Sequence, residues 1–353
     1  MNPVLSVIPA ILNVIYIILA IGLVIVFHEF GHYIVAKRHG IFVEKFSLGF
    51  GPVILRIKRE TEFLISLIPF GGYVKMKGEH PFEERKFTGD EFFSKTPLQR
   101  SFVVIAGPLA NFVLGFIIFF FTFWLGGVLI PQNKPVVGRV VKDSPADKAG
   151  LKKSDIILTV DGKVLKTWDD LVGTVHPNAG KELNFEISRN GKKFQRKITP
   201  KESIGSGIGL IGIEVFYTRE FIPPWKALAL SAGKCALIIY TTLKYLYLAV
   251  TGKVAADIAG PIGIAAMMND TLKQGWVMFL NLVAGLSLSL GLINLFPIPL
   301  LDGGHIAIFA WEGIRKKFPS QKVYNVIQTV GLAVILFLII FASRNDILRL
   351  LTK

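Results

Sequence analysis

The 353-residue sequence has a single cysteine, Cys235, and only 25 acidic residues against 40 Lys and Arg. One cysteine excludes an intramolecular disulfide framework and a cysteine-ligated zinc site. Polar residues are also scarce, since 52% of the chain is hydrophobic and the mean hydropathy is +0.53. This composition is too apolar for an ordinary soluble protein and indicates a membrane protein with several spans. The net charge of +15 then fits loops that face anionic lipid, and no nucleic-acid partner is expected.

The first long apolar run covers residues 8–37 and has no charged residue before its His-Glu-x-x-His pattern, His28-Glu29-Phe30-Gly31-His32. On a helix, positions four apart lie on one face, so His28 and His32 can bind one metal ion, for which zinc is the natural choice. Glu29 is near enough to take a proton from a water at that ion. Ionisable side chains are costly inside an apolar helix, so two ordinary surface histidines explain the pattern poorly.

Residues 38–97 form a loop rich in Lys and Arg, which predicts that it is cytoplasmic and that the N-terminus lies outside. Short apolar runs between residues 46 and 75 are split by Gly and Pro, which is typical of hairpin strands. They form either a plain cytoplasmic hairpin or a sheet beside the metal helix whose free edge pairs with an extended peptide. The second predicted span, 98–130, contains Asn111, which either serves helix packing or hydrogen-bonds near the metal helix.

Residues 131–222 alternate charged residues with short apolar strands and predict one small α+β domain. This segment resembles a PDZ domain in three stretches, Ser144–Leu151, Asp155–Gly162 and Gly207–Ile213. A PDZ groove binds a peptide by strand addition. The alternative is a plug that only screens access to the membrane site.

The third predicted span, 276–301, ends in a segment broken by Pro297 and Pro299 and followed by Asp302. Irregular backbone at membrane depth is tolerated only where it lines a cavity or is buried in protein. Asp302 is the natural third metal ligand, provided that it lies near the same membrane face as the histidines. This condition requires residues 223–275 to be an amphipathic region on the outer surface, with a fourth span at 323–342. His305 is set aside, because two histidines and one carboxylate leave the open position that a catalytic zinc site needs.

Together these motifs resemble the site-2 protease family of intramembrane metalloproteases, and within it the bacterial regulator-of-sigma-E protease group. The resemblance covers essentially the whole chain. It is carried by the His28–His32 pattern, by Gly107-Pro-Leu-Ala-Asn111, by the PDZ-like insert and by Asn294–Gly304. One departure is that the best-known members of the group have two tandem PDZ domains, whereas this sequence has room for one.

The resemblance implies a polytopic α-helical membrane protein. It has four transmembrane helices, a membrane-associated β-hairpin region and one inserted extracytoplasmic α+β PDZ-like domain. His28, His32 and Asp302 would bind Zn2+, and Glu29 would be the catalytic base. Candidate substrate-binding residues are Asn294, Pro297, Gly71, Gly72 and Asn111.

The expected substrates are membrane-spanning proteins such as anti-sigma factors, cleaved within the bilayer in regulated intramembrane proteolysis, with a further peptide at the PDZ-like groove. The expected location is the bacterial cytoplasmic (inner) membrane, with the active site near its cytoplasmic side. Two other classes remain open from the residues alone. A zinc-binding scaffold without proteolytic activity would have no need of Glu29, and a metal transporter would need several layers of ligands along a path.

Overall fold

The computed structural model describes residues 3–82, 88–203, 207–254 and 259–351. The chain forms two compact units. The first unit combines Met1–Phe123 with Pro223–Lys353, and the second is the inserted segment Trp124–Ile222.

The described residues contain nine α-helices. They are α1 (Pro3–Arg38), α2 (Pro97–Gly126), α3 (Pro145–Lys148), α4 (Trp168–Val175), α5 (Pro224–Val250), α6 (Pro261–Gln274), α7 (Trp276–Asn294), α8 (Asp302–Arg315) and α9 (Gln321–Leu351). Five of the described helices are long and apolar enough to cross a membrane: α1, α2, α5, α7 and α9. Helix α5 is the least apolar of them, with a mean hydropathy of 1.2 against 2.0 to 2.6 for the others. The protein is therefore a multi-pass membrane protein.

Two helix ends differ from the predicted spans. Helix α2 ends at Gly126, and the strand Val128–Pro131 begins where the sequence predicted more helix. The reason is Gly127, whose φ of 72° is the left-handed conformation that favours glycine and ends a helix. Helix α7 ends at Asn294 and not at residue 301, because the prolines at 297 and 299 cannot continue it.

The described strands are β1 (Val43–Lys58), β2 (Glu62–Met76), β3 (Val128–Pro131), β4 (Val137–Val140), β5 (Ile156–Val160), β6 (Lys163–Val164), β7 (Leu183–Arg189), β8 (Lys192–Ile198), β9 (Lys201–Glu202), β10 (Gly209–Leu210), β11 (Ile213–Val215) and β12 (Tyr217–Glu220). Strands β1 and β2 confirm the predicted hairpin region. Both are bent, so that residues 45–48 of β1 pair with residues 62–65 on one side and with residues 72–75 on the other. The pair therefore forms four rows, and residues 72–76 are an edge row of this sheet.

Contacts along the bundle show that α1 and α7 run in the same direction. Near one end, the rings of Tyr16 and Trp276 are 4.8 Å apart. Towards the other end, the Asn294 amide lies 3.5 Å from His28 Nε2. Helix α2 packs closely on both helices, because Gly31 of α1 lies directly against the Ala106 backbone and Gly115 of α2 lies against Leu288. The C-terminal end of α7 is thereby held beside the histidines of α1.

The second unit has its own hydrophobic core, which includes Val137, Ile157, Phe185 and Ile187. Its main sheet has four antiparallel strands in the order β6-β5-β7-β8. Helix α4 begins with a reciprocal capping box, in which Thr167 accepts a hydrogen bond from the Asp170 backbone and Asp170 accepts one from the Thr167 backbone.

Candidate metal centre

Two histidines one helical turn apart and an aspartate far away in the sequence meet at one point of the first unit. His28 and His32 lie one turn apart on α1, and their Nε2 atoms are 3.2 Å from each other. The carboxylate of Asp302 lies 3.2 Å from Nε2 of His28 and 3.6 Å from Nε2 of His32. One ligand atom from each residue lies within 4.8 Å of the other two. Among the described residues, this is the only group of three or more His, Cys, Asp and Glu side chains that is placed to bind a metal ion.

Asp302 reaches this point because the chain turns sharply after α7. Leu300 has a φ of 74°, a conformation that costs a non-glycine residue about 1 kcal/mol. Helix α8 then begins at Asp302, where the partial positive charge of a helix N-terminus favours a carboxylate. The strained turn and the helix start together aim the carboxylate back at α1.

Helix α2 supports both histidines from one face, with three residues spaced four apart. The carbonyl oxygen of Val103 accepts a hydrogen bond of 2.9 Å from His32 Nδ1. Gly107 lies against both imidazole rings, and a side chain there would overlap them. The amide of Asn111, which is fully buried, lies 3.3 Å from His28 Nδ1. Of the two alternatives for Asn111, helix packing or a hydrogen bond near the metal helix, this contact fits the second.

The residues that meet here fit a zinc ion. Two imidazole nitrogens and one carboxylate oxygen are a ligand set of catalytic zinc sites, which keep a fourth position open. Oδ2 of Asp302 is buried and accepts no hydrogen bond, although Nε2 of His28 lies 3.2 Å away. A buried carboxylate oxygen that accepts no hydrogen bond is costly in the protein alone, and a cation would compensate it.

Glu29 lies between the histidines and the edge row of the sheet. The backbone N–H of Val74 lies near its carboxylate. Gly72 lies directly against it, since a Cβ on Gly72 would be 3.2 Å from Cγ of Glu29. The sheet thus passes immediately beside the carboxylate that the sequence singles out as the base.

A cavity of about 320 Å³ opens beside these residues. Glu29, His32 and Asp302 line one part of it, and aromatic and aliphatic side chains of β2, α2, α8 and α9 line much of the rest. Glu79 also faces the cavity and accepts a hydrogen bond of 2.8 Å from the Met76 N–H. Burial raises the pKa of the Glu79 carboxyl above its usual range. The cavity has the size of a small ligand pocket and lies beside His32 and Asp302.

The sequence matches Peptidase family M50 over residues 16–338. The chain belongs to this family, the site-2 proteases. The peptidase is therefore an intramembrane zinc metalloendopeptidase, and the predictions of the family, the enzyme class and the zinc cofactor are confirmed.

Relatives of the peptidase align over nearly their whole length. A Rickettsia conorii protein, provisionally named a zinc metalloprotease, is 36% identical over 96% of this chain and 99% of its own. The zinc metalloprotease RasP of Geobacillus kaustophilus is 29% identical over 95% of this chain and 97% of its own. The regulator of sigma-W protease RasP of Bacillus subtilis is 28% identical over 96% and 99%.

Among solved structures, the PDZ domain of the SdrC-like protein of Listeria monocytogenes aligns with 25% of this chain and 93% of its own. The TM-score of this alignment is 0.22 and the identity is 24%.

The other residues singled out in the sequence are placed as follows. Asn294 lies at the end of α7 beside His28, whereas Pro297 is exposed in the turn that follows. Gly71 has a φ of 120° and lies against the ring of Phe50. His305 lines the cavity but is not part of the three-residue group.

The sequence analysis missed a buried ion pair that fixes α8 against α2. Arg100 has only 2% of its surface exposed, and its Nη2 donates to Glu312 Oε1 at 2.8 Å. Its guanidinium lies between the rings of Phe93 and Phe309, 4.5 and 4.7 Å from their centroids. A signal was available, because an arginine at the start of an apolar run needs a partner, but the sequence does not show that Glu312 is the partner.

Proposed function

We propose that His28, His32 and Asp302 bind the zinc ion of this peptidase and that Glu29 is its general base. The observation that carries the proposal is the convergence of the three side chains, with Asp302 Oδ2 buried and accepting no hydrogen bond. Zinc acts as a Lewis acid that makes water nucleophilic at neutral pH and polarises a peptide carbonyl. Glu29 takes the proton from the attacking water and passes it to the leaving amine.

The substrate is proposed to bind as an extended strand along residues 72–76 of β2. The N–H of Val74 points to Glu29, and the N–H of Met76 points to Glu79. Alternate residues of a strand direct their backbone groups to the same side, so the N–H and C=O of Gly72 lie on that side as well. A substrate strand paired there would lie next to Glu29. Pairing with the edge would also replace the helical hydrogen bonds that a transmembrane substrate loses when it unwinds locally. Asn294, next to His28, is a further contact for this strand.

The proposed substrates are single-span membrane proteins, with anti-sigma factors as the leading class. The name of the Bacillus subtilis relative, regulator of sigma-W protease, supports this class, and so does the location of the site within apolar helices. Cleavage there would serve regulated intramembrane proteolysis in the cytoplasmic membrane.

The proposed topology has four spans, α1, α2, α7 and α9, with α5 in the outer part of the membrane. Gly331 of α9 lies against Pro299 near the metal-binding residues, and Asp346 follows 15 residues later, about 22 Å farther along the helix. There Asp346 accepts a hydrogen bond of 3.0 Å from the Gly260 N–H. Val254 and Gly260 are six positions apart, and this stretch of chain reaches at most about 21 Å. The hydrocarbon core is about 30 Å thick. Val254, just after α5, therefore cannot reach the membrane face opposite to Gly260. Helix α5 then does not cross the membrane, which favours the four-span arrangement.

This topology leaves the second unit outside the membrane and the metal centre near the cytoplasmic side, where the basic loop residues belong. We propose that the second unit is the predicted PDZ-like domain. A small groove of about 60 Å³ runs between α4 and strands β10 and β11, lined by side chains that include Trp168, Leu171 and Ile211. It is the place where an extended peptide tail would add to the strand.

A cleavage assay tests the proposed function. The purified protein is reconstituted with a single-span substrate and assayed with and without a zinc chelator. Cleavage should stop with the chelator and return with added zinc. Glu29→Gln should retain zinc and lose 100-fold or more of the rate, about the contribution of a general base. Asp270→Asn removes an exposed carboxylate of α6 that pairs with Lys273, and it serves as the control with near-normal activity.

A Glu29→Gln variant that still cleaves would disprove the assigned role of Glu29. Zinc binding without any cleavage by the native protein would favour the scaffold. Zinc movement across the vesicle membrane would favour the transporter.

A further inference from the structure

Asn111 is a polar residue in the apolar helix α2, where helix packing does not require an amide. It is fully buried in α2, and its side-chain amide faces Nδ1 of His28 at 3.3 Å. Its Oδ1 is buried and has no hydrogen-bond partner when the amide nitrogen points to the histidine. A buried carbonyl oxygen that accepts no hydrogen bond is unfavourable, because it has lost its hydrogen bonds to water. The structure therefore has an acceptor and a histidine nitrogen side by side.

The hydrogen bond of His32 shows which of its ring nitrogens carries the proton. The acceptor for His32 Nδ1 is the backbone carbonyl of Val103, at 2.9 Å. A carbonyl can only accept, so the proton of neutral His32 is on Nδ1 and its Nε2 has a free lone pair. That lone pair is the one directed at Asp302 and at the proposed metal position.

His28 also presents Nε2 to Asp302, at 3.2 Å, so binding a metal through this atom requires its proton on Nδ1. Nδ1–H needs an acceptor, and Asn111 is the side chain beside it. The two ends of an amide have the same shape, and hydrogen bonding decides between them. Turning the Asn111 amide by half a turn presents Oδ1 to Nδ1–H and pairs the otherwise unpaired oxygen.

We infer that Asn111 is a positioning residue, whose Oδ1 accepts a hydrogen bond from His28 Nδ1–H and thereby holds Nε2 ready to bind zinc. This inference rests on the proposed role of His28 as a zinc ligand. One face of α2 then serves the whole histidine pair: Val103 orients one ring, Gly107 leaves room for both, and Asn111 orients the other. Metal-binding histidines commonly donate their second N–H to such an acceptor, and losing it weakens metal affinity about 10–100-fold.

Zinc affinity, measured by competition with a chelator in detergent, tests the inference. Asn111→Leu keeps the size of the side chain but removes the acceptor, and it should weaken zinc binding about 10–100-fold. Asn111→Asp retains an acceptor and should bind zinc within a few-fold of the native protein. Asn13→Ala is the control, because Asn13 hydrogen-bonds to Asn269 elsewhere in the first unit. Native affinity for Asn111→Leu would overturn the inference.

A second measurement does not depend on how the variants fold. In the native protein loaded with zinc, nitrogen NMR of labelled histidine should show His28 protonated at Nδ1. A proton on Nε2 instead would overturn the inference. His28→Ala distinguishes a failure of the proposed metal centre from a failure of the positioning role of Asn111. If His28→Ala binds zinc normally, the proposed metal centre is wrong, whereas if only Asn111→Leu binds normally, the centre stands and the positioning role fails.

Discussion

Replacing Gly107 by alanine should disable the metal centre while leaving the bundle folded. Gly107 lies on the face of α2 that touches both imidazoles. A Cβ at this position would be 2.5 Å from Cε1 of His32 and 2.9 Å from Cε1 of His28, and it would be closer still to Nε2 of His32. Carbon atoms in favourable contact are about 3.5–4.0 Å apart. The added methyl group therefore overlaps the rings from the side where α2 holds them.

The size of the effect follows from these distances. Relieving the overlap requires the His32 ring and α2 to separate by about 1 Å, whereas metal–ligand distances tolerate only about 0.2 Å. The ring cannot move without weakening its hydrogen bond to Val103, and the α1–α2 contact is already tight at Gly31. A misplacement of about 1 Å costs roughly 100-fold in rate. We expect Gly107→Ala to lose at least that factor in cleavage and to bind zinc at least 10-fold more weakly.

The assay combines substrate cleavage, zinc affinity and thermal unfolding in detergent. Gly285→Ala is the matched control, because Gly285 belongs to α7 and a Cβ there meets nothing within 4 Å. The control should match the native protein in all three measurements. Native zinc affinity and activity in Gly107→Ala would show that the close packing of α2 on the histidines does not govern the site.

Three other outcomes are expected. Arg100→Met leaves the Glu312 carboxylate without its buried partner and should lower the free energy of unfolding by about 3 kcal/mol in thermal unfolding, and adding Glu312→Leu should recover most of this loss. Thr167→Ala removes the cap of α4 and should lower protection against hydrogen exchange there by about 1 kcal/mol, with other parts of the chain unaffected. Backbone N–H groups of residues 166 and 167 hold the pKa of the Asp170 carboxyl below its usual range. The Asp170 carboxylate therefore stabilises α4 fully above the unfolded pKa of about 3.9, and this stabilisation is lost as the pH falls through the lower folded pKa. Asp170→Asn should abolish this pH dependence.

The sequence predicted the chemistry of this site better than its surroundings. The His-Glu-x-x-His spacing places two imidazoles on one helix face, and this inference needs only helix geometry. The third member, Asp302, followed from requiring two apolar runs to end at the same face. The structure brings these residues together, and their role as zinc ligands stays a prediction. Helix geometry was sufficient to predict the histidine pair, and the condition that two apolar runs end at one membrane face was sufficient to predict Asp302.

Other features depend on contacts between distant segments, which periodicity does not encode. The sequence shows Gly107 as a small residue suited to helix packing, but not that its missing side chain makes room for two imidazoles. Likewise, apolar runs predict the strands β1 and β2, but not the bends that turn them into four rows. Helix α5 was ambiguous for the same reason, since its composition alone is compatible with either placement.

The large sequence separation within the metal centre has a consequence for biosynthesis. Residue 302 is translated long after residue 32. A nascent chain that already contains Glu29 and both histidines still lacks Asp302, the third proposed ligand. If these residues are the zinc ligands and the base, chains that stop before residue 302 are inert in the membrane.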